Sequence, residues 1–380
     1  MSLPRRTLLL GAGGGLALVA AGGFWRVTRA PQTAAAPWAI AADDSPDVRL
    51  SALRHAILAP NPHNRQPWLI RLEGTTDAQL FCDLDRRLPA TDPFDRQILI
   101  GFGAFLELLR LAAASRGVRL DVTEFPEGAP GARLDGRPIA HLRFQPDPAI
   151  VPDRLFDHVL ARRSNKEAYD LERQIDPAKL ARLEVSGPDL RVATTSDRVS
   201  VANIRDLVLR ALDIEMDTPR THRESIDLIR IGARAVDAQP DGIDLSGPMI
   251  EAGAALGQIT HGKLADPAST AFAQGKRQLH ATYGAAPAYL WLVTRGNDRT
   301  DQLATGATYV RANLAATELG LSLHPASQAL QEYPEMVDCH RAIQALLAPD
   351  GGRVQMLARL GYGPDVPPAP RYPLEAKLIV

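Results

Sequence analysis

Ala59-Pro60-Asn61-Pro62-His63-Asn64-Arg65-Gln66-Pro67-Trp68 is the stretch on which the reading of this chain turns. Before it, Val48 to Leu58 carries Leu50, Leu53, Ile57 and Leu58 at helical spacing. After it, Leu69-Ile70-Arg71-Leu72 reads as a strand. The prolines and asparagines stop the helix and force an ordered loop. Asn64 and Gln66 place amide donors and acceptors beside the flat indole of Trp68. Such a loop suits a planar ligand with polar edges. By composition alone, an ordinary surface connection is the commoner meaning, since Asn and Pro are everyday loop residues.

Working outward, Leu69–Leu72 pairs with Gln79–Leu84 as a hairpin around Gly74-Thr75-Thr76-Asp77. Ile98 to Arg116 is a strongly apolar helix stopped by Gly117, with a strand over Val118–Val122. The stretch from Thr308 to Leu319, then Gly320 and a strand to Pro325, repeats that order. Arg110–Val118 pairs by eye with Asn313–Leu321, which points to a duplicated chain. Helix, glycine and strand also occur together in many α+β proteins. Ile139–Phe144 reads as a strand closing a first half, and Pro146 to Pro152 as a link. Helices are expected over 155–161, 177–183 and 199–216, and strands over 288–294 and 353–362. Residues 217–286 are polar and interrupted by Gly and Pro, and read as an insertion covering the site.

The Arg162-Arg163-Ser164-Asn165-Lys166 segment is the best local anion site. With alternate side chains on one side, a guanidinium, a hydroxyl and an ammonium converge on one group. Alone, such a cluster is usually a solvated basic turn. Formal charge is −1 with 43 Lys+Arg against 44 Asp+Glu, so nothing implies a nucleic-acid surface. Nine His are scattered without metal-ligand spacing, so no metal site is expected. Cys82 and Cys339 read as buried thiols.

Two of these segments resemble known signatures. The Asn-x-Gln-Pro-Trp loop is similar to the flavin-contacting loop of the nitroreductase superfamily. Arg162-x-Ser164-x-Lys166 is similar to the segment that holds the FMN phosphate there. The order is reversed from simple nitroreductases, with the two about a hundred residues apart. That arrangement resembles the double-length Acg-type branch, in which two nitroreductase-like halves are fused.

The resemblance implies an α+β, nitroreductase-like fold of two halves, 37–150 and 151–380, forming an intramolecular pseudo-dimer. It implies one FMN between them. Cofactor contacts would come from His63, Asn64, Gln66, Arg162, Ser164, Lys166, Pro325, Ala326, Ser327, Gln328 and Arg371. The Ser327 and Gln328 backbone amides would meet the ring near N5 and O4. Arg371 stands where the family's closing segment reaches the phosphate. No side-chain acid or base is implied, so no catalytic residue is assigned.

The function expected is an FMN-dependent oxidoreductase passing hydride or electrons from a small-molecule donor to a nitro compound or quinone. The alternative is a non-enzymatic flavin-binding protein whose insertion acts as a lid. Residues 1–36 read as an export signal, with Arg5-Arg6 resembling a twin-arginine leader and cleavage sites at Ala30 or Ala34–Ala36. That implies a periplasmic monomer touching the membrane only through an uncleaved signal. No later segment is expected to span a membrane.

Overall fold

A computed structural model describes residues 30–380 except residue 44. The expected signal therefore lies almost wholly outside the described residues. Its last residues do not: Ala34 is buried and Ala36 opens a helix.

Helix α1 is Ala36–Ile40 and α2 is Val48–Ala56, the latter capped by Asp47. Strands β1 (Trp68–Glu73) and β2 (Asp77–Cys82) form the expected hairpin, turning at Gly74. Then come α3 (Arg96–Ala114), β3 (Val118–Glu124) and β4 (Ala140–Pro146). Residues 155–161 do not form an α-helix; Arg154–His158 is a 3-10 turn capped by Asp153. Next are α4 (Pro177–Ala181), β5 (Val185–Ser186), β6 (Leu190–Thr195) and α5 (Arg198–Asp217).

The expected insertion of helices and loops also holds two short strands. It holds α6 (Pro219–Asp227), β7 (Ile229–Ile231), α7 (Ala233–Ala238) and β8 (Ile243–Leu245). Then follow α8 (Pro248–Ala255), α9 (His261–Ala265) and α10 (Thr270–Gly284). Strands β7 and β8 pair in parallel, apart from the main sheets. Finally come β9 (Ala288–Thr294), α11 (Arg299–Glu318), β10 (Ser322–Pro325), α12 (Val337–Leu347), β11 (Arg353–Gly361) and β12 (Leu378–Ile379).

The main strands form two five-stranded sheets, ordered β12-β1-β2-β4-β3 and β10-β11-β9-β6-β5. Every pairing in them is antiparallel except β1 with β12, where Ile70 faces Leu378. The chain's last strand thus completes the sheet begun by its first.

Helix α3 is long and apolar enough by composition to cross a membrane, contrary to the sequence expectation, but here it is almost wholly buried in the core. It packs against α11, which gives Leu303, Val310 and Leu314 to the first sheet's core and Tyr309, Ala312 and Ala316 to the second's. Two glycines allow the crossing. A Cβ at Gly103 would strike the Leu303 carbonyl, and one at Gly306 would strike that of Ile100. The repeated helix-glycine-strand units match in detail: Gly117 and Gly320 stop their helices at φ of +69° and +68°. Both lead into edge strands, β3 and β10.

One buried acid was not visible in the sequence pattern. Glu215 on α5 is buried and accepts from Gln331 Nε2 at 2.9 Å. Burial pushes its carboxyl from 4.5 up to about 7. The folded state therefore holds a proton that the unfolded chain releases near pH 4.5. That stabilisation is full below the unfolded pKa and is lost as pH rises through the folded one. Wild-type stability relative to Glu215→Gln is expected to fall by roughly 3 kcal/mol between about pH 4.5 and 8 in urea unfolding. A difference independent of pH would contradict this.

Candidate functional site

The loop after α2 is strained. His63, Asn64 and Gln66 adopt φ of +46°, +51° and +49°, the left-handed region that side chains other than Gly seldom occupy. Asn61 helps hold the shape, its Oδ1 accepting from the Gln66 backbone N–H at 2.7 Å. Such strain persists only where surrounding contacts over-determine it.

Those contacts are explicit. Gln66 is fully buried. Its Nε2 donates to Pro240 O at 2.6 Å, and its Oε1 accepts from the Tyr372 N–H at 2.9 Å. Lys377 Nζ donates to the Gln66 carbonyl at 2.7 Å. Asn64 Nδ2 donates to Pro370 O, and its Oδ1 accepts from Arg371 Nη1 at 2.6 Å. Both amides, read from sequence as ligand contacts, are thus engaged by the insertion and the C-terminal segment.

The insertion is latched onto this loop. Asp241 accepts from Arg65, Arg86 and Arg230 at 3.1, 2.7 and 2.6 Å. The Gly242 N–H donates to the Asn64 carbonyl.

The Arg/Ser/Lys segment runs beside β10: the Asn165 N–H donates to Leu323 O, and Asn165 Nδ2 to Ser322 Oγ. Arg162 and Arg371 are both 2% exposed. They donate to the same Leu58 carbonyl at 2.9 and 3.0 Å, so their guanidiniums are neighbours. Neither pairs with a carboxylate among the described residues. Burial pushes their pKa values down, to about 10 and about 9, with mutual repulsion adding to the second. Both stay charged at neutral pH.

Arg371 is saturated by carbonyls: Ile57, Leu58, Ala59 and Pro370 accept from it, as does Asn64 Oδ1. Arg162 is not. Its Nε and Nη1 are buried with no partner. Unpaired buried donors on a buried cation are costly, and an anion is a group that would satisfy both the charge and the donors.

Lys166 is exposed, yet protein atoms are dense around it. Burial lowers its pKa, Asp244 opposes that, and Arg371 adds to it. His63 and His324 both feel Lys166, which brings three chain segments to one place. Burial is the main cause of the downward shift in each; His63 falls to about 4. Both rings are therefore neutral at pH 7. His324 Nδ1 accepts from Arg359 Nη2 at 2.9 Å, which fixes it as the unprotonated nitrogen.

The Pro325–Gln328 loop leaves β10 at the same place. The Ala326 N–H is engaged by Leu357 O in the sheet. Gln328 Nε2 donates to Tyr283 OH at 3.0 Å, while its Oε1 is buried without a partner. Ser327 Oγ lies 3.5 Å from Gln97 Oε1. His63 Nδ1 and Asp244 Oδ1 are likewise buried and unpartnered. Arg162, Lys166, His63, His324 and Arg371 are thus brought into one electrostatic neighbourhood. No hydrogen bond fixes Ser164 among the described contacts.

Asp237, Asp244 and Trp38 are site neighbours that sequence reading missed. The first two sit in a stretch with weak periodicity. Trp38 falls just past the stretch read as a signal. No group of three or more metal-ligating side chains occurs among the described residues.

Fold and site define a class: an α+β chain with two main sheets, a core helix pair, and a cluster of buried cations with unpaired donors. No family model matches the chain. A Mycobacterium tuberculosis protein named "Putative NAD(P)H nitroreductase Rv3131" is 29% identical over 343 residues, covering 86% of this chain and 90% of that one. "Putative NAD(P)H nitroreductase acg" of the same organism is 33% identical over 162 residues, covering 42% and 45%. A crystal structure named "putative nitroreductase from anabaena variabilis" aligns over 86% of this chain and 91% of its own, with 13% identity and a TM-score of 0.45. The resemblance to a protein named for NAD(P)H nitroreductase activity thus runs through most of the sequence, and that to acg through less than half of it.

Proposed function

We propose that this chain is an FMN-dependent oxidoreductase of the nitroreductase type, working as its own pseudo-dimer with one flavin between its halves. One observation carries this reading. Arg162 and Arg371 are buried side by side without a carboxylate, and Arg162 keeps two unpaired N–H groups. A phosphate monoester supplies the missing charge and the missing acceptors. The relatives' names add a flavin-type reaction class to that chemistry.

Bound FMN would supply hydride or electron transfer at N5. The chain's own residues do the rest. Arg162 and Lys166 would hold the phosphate, with Ser164 beside them, and Arg371, whose N–H groups are already taken, would add its charge. Burial, with Lys166 and Arg65 nearby, keeps His63 neutral, and Gln66 ties the same loop to the C-terminal segment. Of the 325–328 loop, the Ser327 and Gln328 amides would serve the ring, since the Ala326 N–H is taken by Leu357 O, and a fixed dipole there would favour added negative charge. The acceptor class is a nitro compound or quinone, and export by a twin-arginine route would place the reaction in the periplasm.

The latched insertion favours a second reading, a protein that sequesters its flavin. Pro240, Asp241 and Gly242 all grip the loop. An absorption spectrum of the folded protein, followed by anaerobic titration with NADH, NADPH and dithionite, separates the two. Bleaching by a nicotinamide and recovery with a nitroarene or quinone is expected for the enzyme. Reduction by dithionite alone would favour sequestration. Failure to take up FMN after reconstitution would overturn both.

A further inference from the structure

Trp38 on α1 has three guanidiniums around its ring. The Cζ atoms of Arg163, Arg371 and Arg162 lie 5.0, 5.7 and 5.8 Å from the ring centroid. All three fall within cation–π range. An indole has two faces, so at least two of the cations share one. The ring is 7% exposed, and its Nε1 donates to Ala369 O at 2.8 Å, two residues before Arg371.

The segment bearing Trp38 is tied at both ends of the site. Asp237 Oδ1 on α7 accepts from Gln32 N, Thr33 Oγ1 and Ala34 N at 2.9, 3.0 and 3.1 Å. The Ala34 carbonyl accepts from the Arg371 N–H at 2.8 Å. Residues 32–40 therefore run as a strap from the insertion to the phosphate-side arginines.

Two buried like charges need something to hold them together. A carboxylate would do so, but it would also neutralise the site and occupy the N–H groups meant for an anion. An aromatic face attracts a guanidinium without taking its hydrogen bonds. Tryptophan offers the strongest such face.

We propose that Trp38 is a positioning residue of the anion site: its indole holds Arg162 and Arg371 in register for one bound phosphate monoester. This rests on the FMN reading above. The strap then belongs to the binding machinery of the protein, not to a disposable leader.

The test compares FMN with riboflavin, which lacks the phosphate, on the full chain stripped of flavin and titrated by fluorescence quenching. Trp38→Ala is expected to weaken FMN on the order of tenfold to a hundredfold and to leave riboflavin within about threefold. Trp38→Phe, which keeps the packing with a weaker face, should fall between wild type and Trp38→Ala for FMN alone. It carries the test by itself if Trp38→Ala does not fold. Equal loss of both flavins would show a merely structural strap, and unchanged FMN affinity would show an idle tryptophan; either overturns the proposal. A wild-type chain that binds neither flavin fails at the FMN reading itself, and the variants' role falls with it.

Discussion

Asp241→Ala is expected to loosen the whole insertion and to lower stability by roughly 3–5 kcal/mol, as when one partner of a buried ion pair is removed. The carboxylate side chain is 1% exposed and holds three guanidiniums that belong to different parts of the fold. Arg65 comes from the strained loop, Arg86 from the turn after β2, and Arg230 from β7. Without the carboxylate, three partly or wholly buried cations face one another, and only Arg86 keeps another carboxylate, that of Asp83 at 3.0 Å. Hydrogen exchange should accelerate across 229–245 before the sheets open, and limited proteolysis should cut there first. Asp241→Asn keeps the shape and loses the charge, so it should lie between. A melting temperature for Asp241→Ala within a degree of wild type would rule out the latch.

Arg162→Met should separate stability from binding. In the flavin-free protein it removes a buried charge whose Nε and Nη1 have no partner. Replacing an uncompensated buried ion with an apolar side chain of similar length is often neutral or stabilising, by about 1–4 kcal/mol. The Leu58 carbonyl still accepts from Arg371, so no new orphan is created. FMN affinity should nevertheless fall by on the order of a hundredfold or more, since charge-assisted bonds to the phosphate are lost. Urea unfolding and flavin titration on the same preparation measure both. A variant that is destabilised yet binds FMN normally would mean that Arg162 is a structural cation.

Much of this fold could be read before any coordinates. The apolar spacing in α3 and in the hairpin, and the glycine stops at Gly117 and Gly320, follow from local rules of periodicity and capping. The two segments that carry the family resemblance lie close enough for Lys166 to act on His63, and it acts on His324 as well. What could not be read was how the amides are used. Asn64 and Gln66 look the same in sequence whether they face a ligand or tie a loop to residues three hundred positions away. Glu215 looks like any acid on an amphipathic helix until Gln331 is seen against it. Strand β12 spans two residues, too short to show a period, and owes its place to Ile70 and Arg71. Trp38 was hidden by its neighbours: alanines beside a probable-looking cleavage site draw the eye away from an indole that stacks on arginines.

The pairing of Leu378 with Ile70 has a consequence for how the protein is made. Synthesis runs from the amino end, and the first sheet's strands leave the ribosome hundreds of residues before β12 does. Arg371, Tyr372 and Lys377, which tie down the strained loop, arrive in those same final residues. The site therefore cannot form before residues 371–379 have been made. A chain cut before Arg371 would have a first sheet without an edge strand and a cation cluster without one of its arginines.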